Sequence, residues 1–174
     1  MSKTVIVING RGGCGKDTIC DICANLYPVV NVSSITPVKE IAKLAGWNGE
    51  KDPKSRKMLA DLKELFTAYN DLPTRYVLSE LDKFLATDNE ILFVHIREAS
   101  EIEKFVAAAS KKCRTVTLLV RRQTEDYSGE ALGNTSDDNV EAFIYDYTFV
   151  NNASSVETLS AKVEEFFKNE IMKA

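Results

Sequence analysis

The chain of 174 residues has a single histidine, a single tryptophan, four prolines and no excess of positive charge. Each shortage excludes a class of function. With His95 as the one imidazole, Cys20-x-x-Cys23 lacks a second pair of ligands to complete a zinc site. The four cysteines, Cys14, Cys20, Cys23 and Cys113, do not make the disulfide framework of a small secreted domain. Lys and Arg number 22 against 26 Asp and Glu, a formal charge of −4, so the basic footprint of a nucleic-acid binder is missing. No apolar run approaches the ~18 residues of a membrane span, and the first residues lead into a strand without a long apolar signal region. The expectation is a cytoplasmic protein with no membrane and no nucleic-acid partner. There is no internal repeat and no low-complexity linker. At 44% hydrophobic and 28% charged residues, the chain reads as one globular domain over 1–174, large enough to bury its own core.

What the chain does have is a dense signal between Thr4 and Thr18. Val5, Ile6, Val7 and Ile8 are β-branched without interruption, as in a parallel strand buried on both faces. Gly10, Arg11, Gly12, Gly13, Cys14 and Gly15 follow, a loop whose glycines let consecutive N–H groups turn toward phosphate oxygens. Lys16 then opens a helix, where the unpaired N–H groups and the helix dipole add to its charge. The pattern G-x-x-x-x-G-K-[ST] fits from Gly10 to Lys16 but meets Asp17 where Ser or Thr is expected, with Thr18 one place later. With Gly near 7% of residues, the fixed positions alone arise by chance in roughly one such chain in twenty. The strand before the loop and the helix after it are therefore what make the pattern specific. Asp17 offers a hard oxygen ligand suited to magnesium beside phosphates, and Thr18 offers a hydroxyl for the same purpose. Cys14, near Lys16 and a helix start, is expected to carry a lowered pKa and a reactive thiolate.

Along the chain, a helix is expected from about Lys16 to Leu26, a strand over Val29 to Ser34, and a helix capped by Thr36 and led by Pro37. Helices from about Pro53 to Tyr69 and Pro73 to Ala86, broken at Asp71, interrupt the strand–helix alternation. They suggest an insertion, 36–87, lying over the carboxyl edge of the sheet. Glu90 to His95 and Thr115 to Val120 read as the next strands, with a helix from Ser100 to Ser110 between them. The polar, glycine-containing segment 121–138 reads as a mobile lid. A short helix near Asn139, a strand from Tyr147 to Val150 and a helix from Ser154, boxed by Glu157, complete the chain. Cys20 and Cys23, at i and i+3, read as a face packed on the sheet. Five strands alternating with helices predict a three-layer α/β/α fold around a parallel sheet, with ligands bound beyond the carboxyl ends of the strands. The glycine loop, Ser34, His95 to Arg97, and Arg121 with Arg122 all fall at those ends.

The loop ending Gly15-Lys16-Asp17-Thr18 resembles the variant phosphate loop of the deoxynucleoside monophosphate kinases of phages and bacteria, and of the animal-type phosphomevalonate kinases. Gly46 to Asp52 with Arg56, Arg97 with Glu101, and Tyr147 to Asn152 resemble further segments of the monophosphate kinases. The resemblance implies a five-stranded P-loop NTPase fold with a helical acceptor-binding insertion and a lid, ATP and Mg2+ as donor and metal, and a phosphorylated small-molecule acceptor in nucleotide metabolism. A homodimer is left open. Carried onto this chain, Lys16, Arg97, Arg121 and Arg122 take the catalytic positions. Gly10 to Thr18 bind the nucleotide, with Asp17 and Thr18 toward the metal. Lys39, Arg56, Arg75 and Arg97 are the basic residues most easily aimed at the acceptor. His95 stands where the family carries an aspartate. Alternatives remain: a kinase of the same fold with another acceptor, such as a phosphomevalonate-like one, or a nucleotide-binding protein with little transferase activity. Arg97 has a plainer reading as a surface salt bridge to Glu98 or Glu101.

Overall fold

In a computed structural model of the protein, residues 3–123 and 140–173 are described. Strands β1 (Thr4–Asn9), β2 (Val29–Ser33), β3 (Ile91–His95), β4 (Arg114–Arg122) and β5 (Tyr147–Asn151) form one sheet in the order β2-β3-β1-β4-β5. Every pairing is parallel, so all five carboxyl ends lie along one edge. β1 is central and buried at all six positions, which is why its sequence is apolar without alternation.

Side chains of period two split between the faces. Ile6, Ile8, Ile91, Phe93, Leu118, Val120 and Phe149 meet α1 (Lys16–Ala24) and α6 (Val156–Phe166), through Ile19, Cys20, Cys23, Leu159 and Val163. Val5, Val7, Leu92 and Val94 meet α4 (Leu72–Leu85) and α5 (Ala99–Ala109), through Val77, Leu81, Phe84, Ile102 and Phe105. Each fully buried side chain of this size contributes about 1.5–3 kcal/mol relative to exposure, so these two apolar layers stabilise the sheet from both sides.

Between β2 and β3 run α2 (Thr36–Leu44), α3 (Pro53–Asn70) and α4. The insertion is not wholly at the carboxyl edge: Val77, Leu81 and Phe84 form an i, i+4, i+7 stripe that lays α4 on the sheet face. α3 has no fully buried residue; Asp52 caps it by accepting from the Ser55 amide at 2.7 Å. The break at Asp71 is a left-handed residue, φ 54°, that ends α3 and begins α4.

Local signals misplace three details. Ile35, not Thr36, is the cap position of α2, and Thr36 and Pro37 form its first turn. Ser155, not Ser154, caps α6 by accepting from the Thr158 amide at 3.2 Å. β4 extends to Arg122, because Arg121 and Arg122 pair with Val150 and Asn151 of β5. The two arginines therefore belong to the sheet, and Gln123 after them donates its amide to the Asn151 carbonyl at 2.9 Å; 124–138 of the expected lid lies outside the described residues. Among the described residues, no helix is long and apolar enough to cross a membrane.

A candidate phosphate-binding site at the carboxyl edge

The turn from β1 into α1 is shaped by what it must pass. Gly10 has φ 153°, and a Cβ there would stand 2.4 Å from the Val120 carbonyl oxygen and 2.7 Å from Cys14 Sγ. Gly15, φ 97°, occupies the cap of α1, where a Cβ would meet Asn151 Nδ2 at 2.7 Å. Both positions demand glycine for space and for backbone angle. Lys16 Nζ donates to the carbonyls of Gly10 at 2.7 Å and Arg11 at 3.4 Å, holding its charge over the loop.

Distant elements brace this loop. Asn151 donates from Nδ2 to the Cys14 carbonyl at 3.1 Å, and Arg122 from Nη1 to the Gly13 carbonyl at 3.2 Å. Asn9 Oδ1 accepts from the Gly10 amide at 2.9 Å. Arg121 pairs instead with Glu141 at 3.3 Å. So Arg122 reaches the loop itself, while Arg121 and Glu141 pair on the wall of the cavity beside it. Asn9 and Asn151 were absent from the site read in the sequence. Their signal is faint: each is a polar residue ending an apolar strand.

Cys14 departs from expectation. It is 1% exposed, and burial pushes its thiol pKa up, outweighing the lowering by Lys16. A buried neutral thiol packed against Gly10 is a structural group. Asp17 is exposed and Thr18 half-buried at the start of α1. Among the described residues no group of three or more His, Cys, Asp or Glu is placed to hold a metal. One carboxylate and one hydroxyl suit an ion that arrives with phosphate oxygens, as magnesium does, and not a resident metal.

His95 lies half-buried between β2 and α1, with Nε2 at 3.4 Å from Asn31 Oδ1 and 3.8 Å from Cys20 Sγ. Burial lowers its pKa; Asp17 opposes this, while Lys16 and Arg97 add to it. The ring is a neutral packing group beside the loop. Lys39 is exposed on α2, yet partial burial, then the charges of Lys51, Arg97 and Lys43, hold its ammonium below the ordinary lysine value, with Asp17 opposing. Lys39, Lys51 and Arg97 thus share one field with Asp17. Arg56 on α3 and Arg75 on α4 are both exposed. Lys51 is a member that the sequence did not single out. Nor did it single out Lys63 of α3, which pairs with both Glu98 and Glu101, the latter at 2.9 Å. Burial pushes the Glu101 carboxyl up in pKa and Lys63 opposes it.

On the other flank, a cavity of about 400 Å³ opens beside the loop, lined by Arg11, Cys14, Val120, Arg122, Val140 and Val150 among others. Among solved structures, a candidate kinase from Chloroflexus aurantiacus J-10-fl superposes over 95% of this chain and 96% of its own, with TM-score 0.52 and 10% identity. The fold is the three-layer P-loop NTPase fold. That likeness speaks to the fold alone. More remote are the APS kinase of Mycobacterium tuberculosis in complex with AMPPNP and APS (TM-score 0.43, 10% identity, 95% and 98% covered) and the signal recognition particle receptor of Elizabethkingia anophelis (0.45, 12%, 97% and 66%). No protein-family model matches the chain, and no curated protein sequence matches it significantly. The P-loop here is thus defined by its own geometry: Gly10 and Gly15 for shape, Lys16 for charge, and Asn9, Arg122 and Asn151 for support.

Proposed function

We propose that the protein is an ATP-dependent phosphotransferase whose acceptor is a nucleoside or deoxynucleoside monophosphate. The observation that carries this reading is the cluster of charge around Lys39 on α2, whose ammonium feels Lys51, Arg97 and Lys43 and, with opposite sign, Asp17 next to the P-loop lysine. Phosphoryl transfer needs positive charge on both sides of the moving group and little covalent work from the protein. A P-loop that only binds or hydrolyses a nucleotide has no use for the second cluster.

In this reading Lys16 exchanges its contacts to the Gly10 and Arg11 carbonyls for donor phosphate oxygens, a charged partner in place of neutral ones. The cavity beside Arg11, Val120, Arg122 and Val150 takes the rest of the donor. Arg122 stays on the Gly13 carbonyl and keeps the loop in shape; Arg121 is held by Glu141 until the donor draws it in. Arg97 and Lys39 hold the acceptor phosphate. Magnesium, brought with the nucleotide and touched by Asp17 or Thr18, would neutralise charge on the donor phosphates.

The test is a thermal-shift panel of monophosphates with and without AMPPNP, followed by titration of Arg97→Ala with each ligand. A true acceptor stabilises the protein by mass action. Arg97→Ala is expected to weaken the best monophosphate by roughly 1.5–3 kcal/mol while leaving AMPPNP nearly unchanged. Equal losses for both ligands, or no monophosphate binding by the wild type, would defeat the acceptor assignment. A second reading, nucleotide binding with little transfer, draws on His95: the end of β3 carries an imidazole turned to Asn31 and Cys20 where a carboxylate would serve a metal.

A further inference from the structure

Asn9 is the last residue of β1 and is 1% exposed. Its Oδ1 accepts from the Gly10 amide at 2.9 Å, while Nδ2 donates to the Arg97 carbonyl at 3.1 Å and to the Tyr145 hydroxyl at 2.8 Å. The Gly10 amide can only donate, so it fixes which end of the carboxamide is oxygen. Tyr145 in turn donates to the Val140 carbonyl at 2.7 Å, and Val140 lines the cavity beside the loop. One buried amide group therefore touches the first peptide of the P-loop, the main chain of Arg97 and, through a phenol, the cavity wall.

We infer that Asn9 is a positioning residue that relays the state of the P-loop to Arg97, so that nucleotide binding sets the acceptor arginine in place. The inference rests on the proposed function for what Arg97 holds, but the relay itself is a property of the backbone. The β1–β3 ladder ends at the pair Ile8 and His95, two residues before Arg97. Beyond that point the Asn9 side chain continues the tie that the ladder no longer makes. Lys16 now bonds the carbonyl of Gly10, the same residue whose amide Asn9 holds. When phosphate draws Lys16 away, the Gly10–Arg11 peptide is released, Gly10 turns about its own backbone angles, and the bond from its amide to Asn9 passes the change to Arg97. Coupling of this kind runs through contiguous hydrogen bonds and is reciprocal in binding free energy.

The experiment uses AMPPNP as the probe and reads amide hydrogen exchange over residues 97–102, in wild type, Asn9→Ala and Tyr145→Phe, with thermal melting to verify folding. In the wild type, AMPPNP is expected to slow exchange in this segment by about fivefold or more, a change that corresponds to at least 1 kcal/mol of local protection. In Asn9→Ala the slowing disappears although AMPPNP still binds; a residue of purely structural use would lower stability yet leave the response to nucleotide in place. Tyr145→Phe, which keeps both Asn9 bonds to Gly10 and Arg97, retains the response and serves as the control for folding. If Asn9→Ala does not fold, Asn9→Ser replaces it, since a short hydroxyl cannot span both partners. A wild-type segment indifferent to AMPPNP, or an Asn9 variant with the full response, overturns the relay. Failure of every monophosphate to bind, with the exchange response intact, overturns the acceptor assignment and leaves the relay standing. Absence of AMPPNP binding overturns both.

Discussion

Asn151, the last residue of β5, donates its side-chain amide to the carbonyl of Cys14 at 3.1 Å, across 137 positions of sequence, and in doing so sits where a Cβ on Gly15 would have to be. The shape of the P-loop and the far edge of the sheet are thus set by one contact. Asn151→Ala leaves a buried carbonyl unpaired and is expected to cost about 1–3 kcal/mol. Gly15→Ala adds a left-handed alanine, about 1–2 kcal/mol, and a collision with Asn151. In the double variant the collision is absent, so the two costs fall short of their sum by about 0.5–3 kcal/mol in urea denaturation. Strict additivity would mean that the two residues do not meet.

Lys16→Ala removes the charge over the loop and its two carbonyl contacts. Transfer is expected to fall by at least about 10²-fold, as for loss of other preorganised donors. Folding is kept, because contacts of this kind contribute only about 1 kcal/mol net. Steady-state turnover and circular dichroism check the two halves. Undiminished turnover would remove Lys16 from the site.

Thiol labelling distinguishes the buried Cys14 from the reactive cysteine that its position in the sequence suggests. Cys14, Cys20 and Cys23 are buried and Cys113 is half-buried; burial raises all four pKa values, most strongly that of Cys20, and pushes that of Cys23 up to about 12. Iodoacetamide at neutral pH should therefore modify native Cys113 first and reach the other three only on unfolding, as read by peptide mass spectrometry. Rapid native labelling of Cys14 with protection by AMPPNP would restore the thiolate.

His95 is the one histidine of the chain, so its Hε1 resonance reports a single titration. Burial holds its pKa below the ordinary 6.5, meaning that the unfolded chain takes up the proton at higher pH than the folded protein. Its stabilising contribution is then complete above pH 6.5 and is lost as pH falls through the lower folded value. His95→Gln should flatten the acid side of the stability curve just below pH 6.5 in urea denaturation. A titration midpoint above 6.5 would contradict the burial of the ring.

By itself the sequence determined the strand–loop–helix unit from Thr4 to Ala24, the two-faced sheet and the helical breaks at Asp52 and Asp71. Each rests on backbone angles and side-chain periods settled within a turn or two of the residue concerned. Tertiary structure alone decided the rest. Arg122 became the last residue of β4 because Asn151 pairs with it, and Ser155 displaced Ser154 as the cap where β5 hands the chain to α6. Cys14 lost its expected reactivity because Gly10 packs against its sulfur. Asn9, Tyr145 and Asn151 took their places through hydrogen bonds to partners 88, 136 and 137 positions away. A thiol's solvation and an amide's partners depend on which distant elements fold over them, and no local period or motif encodes that.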